Sequence, residues 1–370
     1  MNLVFLTDHM KFSGGRRLMF DYASYLIEKG HNVKILVNEE RGELAGTVPV
    51  TVIPEFTREY IPDCDLIIAT SPKEVRQAWD CRRGKVVHFC QGFELTDLEH
   101  RLSGKVLPPR FQGKGFFHAL KIFRKKFTWR RKYKEFDEVY KLPTYLISVS
   151  VHLQKELEER YKRPAPLCRN GVDLNMFYPN PDWKPGTFSE KRPIRIINIG
   201  PIEVTYKGIQ TTLEAVEKAR KKGIPIELTR ISPIICKSEQ GRELPYKLHE
   251  KVPRDLFCKM MRESDVYISN STEREGFGLP AMEALASGLV CVFSNILCYR
   301  SFSQRNDHCF FVPEWDADAT VNAIEKIYRM SPEELTQYRK NALEVASGFS
   351  HQKACGEFEN ILQKISEEKN

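Results

Sequence analysis

DVYISNSTEREGFGLPAMEALASGLVCVFSN, residues 265–295, reads as strand, loop, helix and strand. DVYISN and LVCVFSN are short β-branched and aromatic runs, the pattern of strands buried in a parallel sheet. AMEALASG between them is helical in composition and stops at Gly288. The EGFG loop therefore lies at the carboxyl end of a strand, where open α/β sheets bind their ligands.

The same alternation extends in both directions. RIINIG, IELTRIS, VYISN and LVCVFSN read as strands, separated by the helical stretches KGIQTTLEAVEKARKKG and DLFCKMMRESD. An earlier series runs through NLVFLT (2–7), NVKILV (32–37), DLIIAT (65–70), KVVHFC (85–90) and YLISVS (145–150), with helices such as RRLMFDYASYLIEKG between. Pro179, Pro181, Pro185 and Gly186 mark a linker between the two series. The expected fold is α/β: two tandem Rossmann-like, doubly wound domains with an interdomain cleft. Their bounds are read as 1–178 and 179–345. Residues 346–370 form a closing helix with one apolar face, Phe358, Ile361, Leu362 and Ile365.

A chain of 370 residues exceeds one ordinary core and fits two domains. No apolar run reaches the length of a membrane span, and MNLVFLTDHM lacks a basic leader followed by a long apolar core, so a cytoplasmic location is expected. The ten cysteines are scattered singly without a CxxC pair, which fits reduced core thiols better than a metal site. Asp63-Cys64-Asp65 spells a DxD but precedes its strand, and Asp316-Ala317-Asp318 reads as a helix cap. No metal site and no cofactor are assigned.

In the EGFG loop, Gly276 and Gly278 allow the backbone close to a ligand, and Pro280 suits the first turn of a helix. The amides of that turn can hold an anion such as a phosphate. Glu283 stands where a carboxylate can accept ribose hydroxyls. Glu275, on the loop itself, can bind sugar hydroxyls or stabilise positive charge at an anomeric carbon. A pair of solvated surface acids is the alternative.

The stretch closely resembles the two-glutamate signature of retaining GT-B glycosyltransferases of the family-4 type. FSGGRRLMFDYASYLIEKGHNVKILV, RNGVDLNMFYP, NIGPIEVTYKGIQTTLEAV and FSHQKACGEFENILQKI resemble further segments of that family in order, whereas residues 92–140 do not align. The resemblance implies transfer of a sugar from a nucleotide-diphosphate-sugar to a glycan or lipid-linked acceptor, with retention and without a metal, by an enzyme of hexosyl or rhamnosyl type. Glu283 would hold the ribose. Glu275 and the backbone of Phe277, Gly278 and Leu279 would hold the donor sugar. Lys207 would neutralise the diphosphate, approached by the amides of Gly14 and Gly15, and the closing helix would pack back on the first domain. The family's arginine after the strand-ending glycine is missing, since Pro201 and Ile202 follow Gly200. Arg230 is the expected substitute. His88 is a catalytic candidate, with a satisfied core histidine as the alternative, and Gln91 and Glu94 of QGFE are acceptor-side candidates.

The net charge of +8 is local: residues 101–134 hold twelve basic and no acidic residues. Phe116, Leu120, Phe123 and Phe127 share one helical face there. Two readings stay open, a basic amphipathic helix on an anionic membrane surface and an ordinary domain helix with its aromatics in the core. No nucleic-acid module accompanies the charge. The competing function is a catalytically inactive GT-B-like protein that binds a polyanion or membrane surface through this segment.

Overall fold

The computed structural model describes residues 1–10, 14–41, 48–104, 116–234, 236–239 and 243–368, with backbone only for 116–121. It divides into two compact units. The first holds the described residues of Met1–Lys105, Ala119–Gly171 and Gln352–Asn370, and the second those of Val106–His118 and Val172–His351.

The first unit has six parallel strands: β1 (Asn2–His9), β2 (Asn32–Glu39), β3 (Val50–Val52), β4 (Leu66–Ala69), β5 (Lys85–Cys90) and β6 (Tyr145–Ser148), ordered β3-β2-β1-β4-β5-β6. Its helices are α1 (Gly14–Glu28), α2 (Pro72–Cys81), α3 (Glu94–Ser103), α4 (Phe116–Lys141) and α5 (Val151–Tyr161). The second unit repeats the plan with β7 (Ile194–Ile199), β8 (Ile226–Ser232), β9 (Lys247–Glu250), β10 (Val266–Ser269), β11 (Val290–Ser294) and β12 (Phe310–Val312), ordered β12-β11-β10-β7-β8-β9. Its helices are α6 (Ile209–Lys221), α7 (Arg254–Arg262), α8 (Leu279–Ala286), α9 (Leu297–Arg300), α10 (Ala317–Tyr328) and α11 (Pro332–Ser347). Each sheet runs outward in both directions from its first strand, the doubly wound Rossmann order.

Strand alternation sorts each core into two layers. Val4 and Leu6 of β1 pack with Ile67, Val75 and Ala78 on the side of α2. Phe5 faces the other way, into a ring cluster of Tyr22, Phe89 and Phe358 whose centroids lie 4.7 to 6.5 Å apart. Phe358 belongs to the last helix, α12 (His351–Glu367). The Lys85 ammonium donates to the terminal carbonyls of Ile365 and Ser366 at 2.9 and 3.1 Å, offsetting the negative end of that helix.

The division falls after Gly171, ahead of the proline-rich stretch. Val172 exchanges backbone hydrogen bonds with Phe349 (2.7 Å) and His351 (2.9 Å), which ties residues from 172 on to the second unit. Among the described residues no helix is long and apolar enough to cross a membrane.

Candidate active site

The EGFG loop leaves the end of β10 and enters α8 through Gly278, which has φ +78° and ψ 51°. A Cβ on Gly278 would stand 2.6 Å from Cε1 of Tyr299, so the backbone there passes over a ring that leaves no room for a side chain. Tyr299 is itself fixed, its hydroxyl 2.7 Å from that of Ser269. Phe277 points inward, 5.6 Å from Phe302 and 6.0 Å from Phe349. Anchoring the loop by this side chain leaves the Leu279 amide at the start of α8 without a helical acceptor, while Pro280 has no N–H and the Ala281 and Met282 amides donate to the Gly278 carbonyl at 2.9 and 3.2 Å.

A second turn is laced onto the first. Residues Thr205–Lys207 form one 3-10 turn that ends at Gly208 in the left-handed region, φ +61°. A Cβ at Gly208 would lie 1.9 Å from the Asn270 carbonyl oxygen. The Thr272 amide donates to the Tyr206 carbonyl (2.9 Å), and Asn270 is held by Thr212 at 2.7 Å and Thr320 at 3.0 Å. Within this frame the Lys207 Nζ meets Glu275 Oε2 at 2.7 Å. Burial, the largest single effect, favours the neutral amine, but the Glu275 charge and hydrogen bond, with Tyr206 adding to them, together push the Lys207 ammonium up to about 12. Lys207 is a cation at every physiological pH. Glu283, in the middle of α8, is buried to 5% exposure, and Glu275 to 8%.

The cation, the carboxylate and the open helix terminus together suit an anion with a hydroxylated group attached. Arg274, for which the sequence offers no signal except its place before Glu275, stands on the same rim. Its guanidinium lies 4.4 Å from the centroid of the Tyr206 ring, and Lys207 Nζ lies 5.4 Å from that same centroid.

Arg230 does not belong to this group. It is fully buried within β8, with Nε 3.0 Å from Glu239, Nη1 2.8 Å from Asn198 and Nη2 3.2 Å from the Gly200 carbonyl. Its charge is matched by Glu239, so the expected role of Arg230 on a diphosphate is corrected to a buried tie between neighbouring strands.

The remaining candidates lie in the first unit. Gly14 and Gly15 open α1, where amides lack helical acceptors. Gly15 packs against Gln91: a Cβ there would sit 3.5 Å from its Cγ, an ordinary contact. The Gln91 carbonyl oxygen accepts from the Asn170 amide at 3.2 Å. Glu94 is the first residue of α3, not a loop residue, and accepts from the Tyr140 hydroxyl at 2.5 Å. Burial raises its carboxyl to about 7, against the lowering effect of that hydrogen bond.

His88 is corrected more sharply. It has no exposed surface and its ring lies 4.7 Å from that of Tyr140. Neither ring nitrogen has a hydrogen-bond partner among the described residues. Buried in this way, the side chain meets no substrate, and it is also not the satisfied core histidine that was the alternative. Burial, with Arg163 adding to it, lowers the imidazole to about 3.

This has a measurable consequence. The folded value lies below the unfolded one, so between the two only the unfolded chain binds the proton, and stability falls as the pH drops from 6.5 toward 3. At pH 5 the loss amounts to about 2 kcal/mol. His88→Phe, which keeps a ring beside Tyr140, is expected to gain thermal stability over the wild type on acidification. The difference in Tm between them should widen by a few degrees from pH 8 to pH 5. A constant difference would mean that the imidazole is protonated or hydrated in the folded protein.

Asp316 caps α10 by accepting from the Ala319 amide at 2.7 Å. Asp65 accepts from the Asn2 amide at 2.7 Å, and Asp63 pairs with Arg83 at 2.8 Å. Among the described residues no group of three or more potential metal ligands forms.

Residues 180–345 match the family model described as glycosyl transferases group 1. No curated protein matches the chain in sequence. Among solved structures it is similar to sucrose-phosphate synthase from Thermosynechococcus elongatus, with TM-score 0.71 and 14% identity over 99% of each chain. It is similar to Anabaena HepE in complex with UDP and glucose, with TM-score 0.68 and 15% identity over 100% of each chain. It is also similar to WaaG, a glycosyltransferase involved in lipopolysaccharide biosynthesis, with TM-score 0.71 and 14% identity over 99% of this chain and 100% of that one. Residues 180–345 thus match the group 1 glycosyl transferase model, and the chain has two Rossmann-like domains, the fold of these GT-B structures.

Proposed function

We propose that the protein is a retaining, metal-independent glycosyltransferase of the family-4 type, acting in the cytoplasm. It moves a hexosyl or rhamnosyl group from a nucleotide-diphosphate-sugar to a glycan or lipid-linked acceptor. The observation that carries the reading is the pairing of Lys207 with Glu275 beside the open start of α8, inside the matched domain. Crystallisation of a relative of the same fold with UDP-glucose supports a nucleotide-sugar donor.

On this reading the diphosphate lies against Lys207 and the start of α8. Its oxygens accept hydrogen bonds that strengthen as charge builds up on the leaving group. Glu283 takes the ribose hydroxyls, and Glu275 the hydroxyls of the sugar. The bond from the anomeric carbon to the diphosphate oxygen breaks with its electron pair going to the diphosphate. The acceptor oxygen bonds to that carbon on the same face, and its proton passes to a diphosphate oxygen. Glu275 is engaged with Lys207, which suits holding hydroxyls better than in-line attack; a covalent glycosyl adduct on Glu275 would overturn that assignment. The resemblance assigns Gly14 and Gly15 to the donor and Gln91 and Glu94 to the acceptor.

A second reading, a catalytically silent relative, draws on the missing arginine after Gly200 and on the complete pairing of Arg230. Thermal unfolding with UDP, GDP, dTDP and ADP separates binding from its absence. A nucleotide at a hundred times its Kd adds about 2.7 kcal/mol and raises Tm by several degrees. One nucleotide is expected to do so, and Glu283→Ala to lose the effect. No shift with any of the four sinks the donor reading, and a shift without turnover favours the silent relative.

A further inference from the structure

Helix α4 turns two unlike faces outward and inward. Trp129, Tyr133 and Tyr140, spaced four and seven residues apart, hold it to the first unit. Trp129 is buried, Tyr133 donates to Glu99 at 2.9 Å, and the buried Tyr140 donates to Glu94 at 2.5 Å. At 100° per residue, Phe123, Phe127, Arg130, Arg131 and Lys134 share the opposite face. All five are exposed. Phe123 and Phe127 are 59% and 57% exposed, and their rings touch each other edge to face at 5.2 Å between centroids. The core reading of this face is thereby corrected for Phe123 and Phe127. Phe116, Leu120 and Lys121 have no described side chains, and Lys105, Arg110 and Lys114 lie outside the described residues.

We propose that this face of α4 docks on an anionic lipid surface, with the Phe123–Phe127 pair inserted among the acyl chains and the surrounding cations on the headgroups. Two observations meet here. A pair of phenyl rings leaves a large apolar area in water, whose removal is favourable only where an apolar phase is offered. Around them, residues 122–134 hold seven basic and no acidic residues, which selects a negative surface. The long aliphatic stems of Arg130, Arg131 and Lys134 allow the rings to enter while the charges stay at the phosphates. Packed edge to face, the two rings form one compact wedge, not separate platforms for stacked bases. The surface would bring a transferase to a lipid-linked acceptor. The docking itself does not depend on the donor reading, and nucleotide binding tests that reading separately.

The experiment is co-sedimentation of the full chain with vesicles of phosphatidylcholine alone and of phosphatidylcholine mixed with phosphatidylglycerol. The wild type is expected to sediment with the mixed vesicles only, less as salt is raised. Phe123→Ser/Phe127→Ser should lower the partition at least about tenfold, and Arg130→Glu/Arg131→Glu should abolish it. These side chains are exposed, so Tm and nucleotide binding should stay at wild-type values. Three outcomes would overturn the proposal. The wild type fails to bind mixed vesicles, or binding survives the phenylalanine changes, or the face serves another partner. The last would appear as a wild-type dimer that the phenylalanine changes dissociate, or as tighter binding to RNA than to vesicles.

Discussion

Lys207→Ala is expected to lower kcat by about two to three orders of magnitude, the usual cost of removing one preorganised group from the charge that develops on a leaving group. Two consequences of the change need separating. Loss of the ammonium removes the cation from the leaving group, and it also strands the Glu275 carboxylate, whose partner stood 2.7 Å away. An uncompensated, largely buried charge destabilises the fold. The pair Lys207→Met/Glu275→Gln relieves that effect, since neither side chain then carries a charge. Its Tm should recover toward the wild-type value while turnover stays at the level of Lys207→Ala or lower. Recovery of turnover together with Tm would reduce Lys207 to a structural role. Lys207→Arg, which keeps the charge on a longer and planar head, should retain more activity than alanine.

The second large effect is expected at Gly208. Alanine there must adopt φ +61° and place its Cβ 1.9 Å from the Asn270 carbonyl oxygen, a backbone atom that cannot swing aside as a side chain would. The left-handed conformation alone costs about 1–2 kcal/mol, and overpacking adds about 1–3 kcal/mol. Gly208→Ala should therefore lose about 3 kcal/mol or more, read as a lower urea midpoint. Gly223 is the control. It has φ +82° but open space, with nothing within 4 Å, where a Cβ would stand, so Gly223→Ala should show the conformational cost alone. Because the turn of Lys207 leans on the loop of Glu275 through this close approach, Gly208→Ala should also lower kcat well below the Gly223 variant. Equal losses of stability at the two glycines would mean that the Asn270 loop yields freely.

Nine of the twelve strands among the described residues were legible in the sequence, because strands inside a doubly wound sheet are covered on both faces and read as unbroken apolar runs. The three that escaped are β3, β9 and β12, three of the four edge strands, with only three or four residues each; the fourth, β6, is apolar enough to be read. β3 and β9 in particular hold half-buried and exposed positions throughout, which leaves no apolar signal to read. Local chemistry was legible for the same reason. Gly278 before a helix start and Asp316 at a cap are decided by backbone conformation within a few residues.

Charge partners were not legible. Arg230 and His88 look alike in sequence, polar residues in apolar strands, yet one meets a buried glutamate and the other lies against the Tyr140 ring. Which of these happens depends on segments brought in from elsewhere: Tyr140 lies fifty-two residues from His88.

The sequence by itself determined the two wound sheets, the loop after β10 and the residue types that stand there, since hydrophobic period and turn chemistry act over short stretches of chain. Tertiary structure alone decided that Lys207 meets Glu275 across 68 residues, that Arg230 is spent on Glu239, and that α4 turns Trp129 inward and Phe123 outward. Each of these is a choice between faces or partners of equal local merit, and the free energy that settles it comes from burying surface against elements distant in the chain.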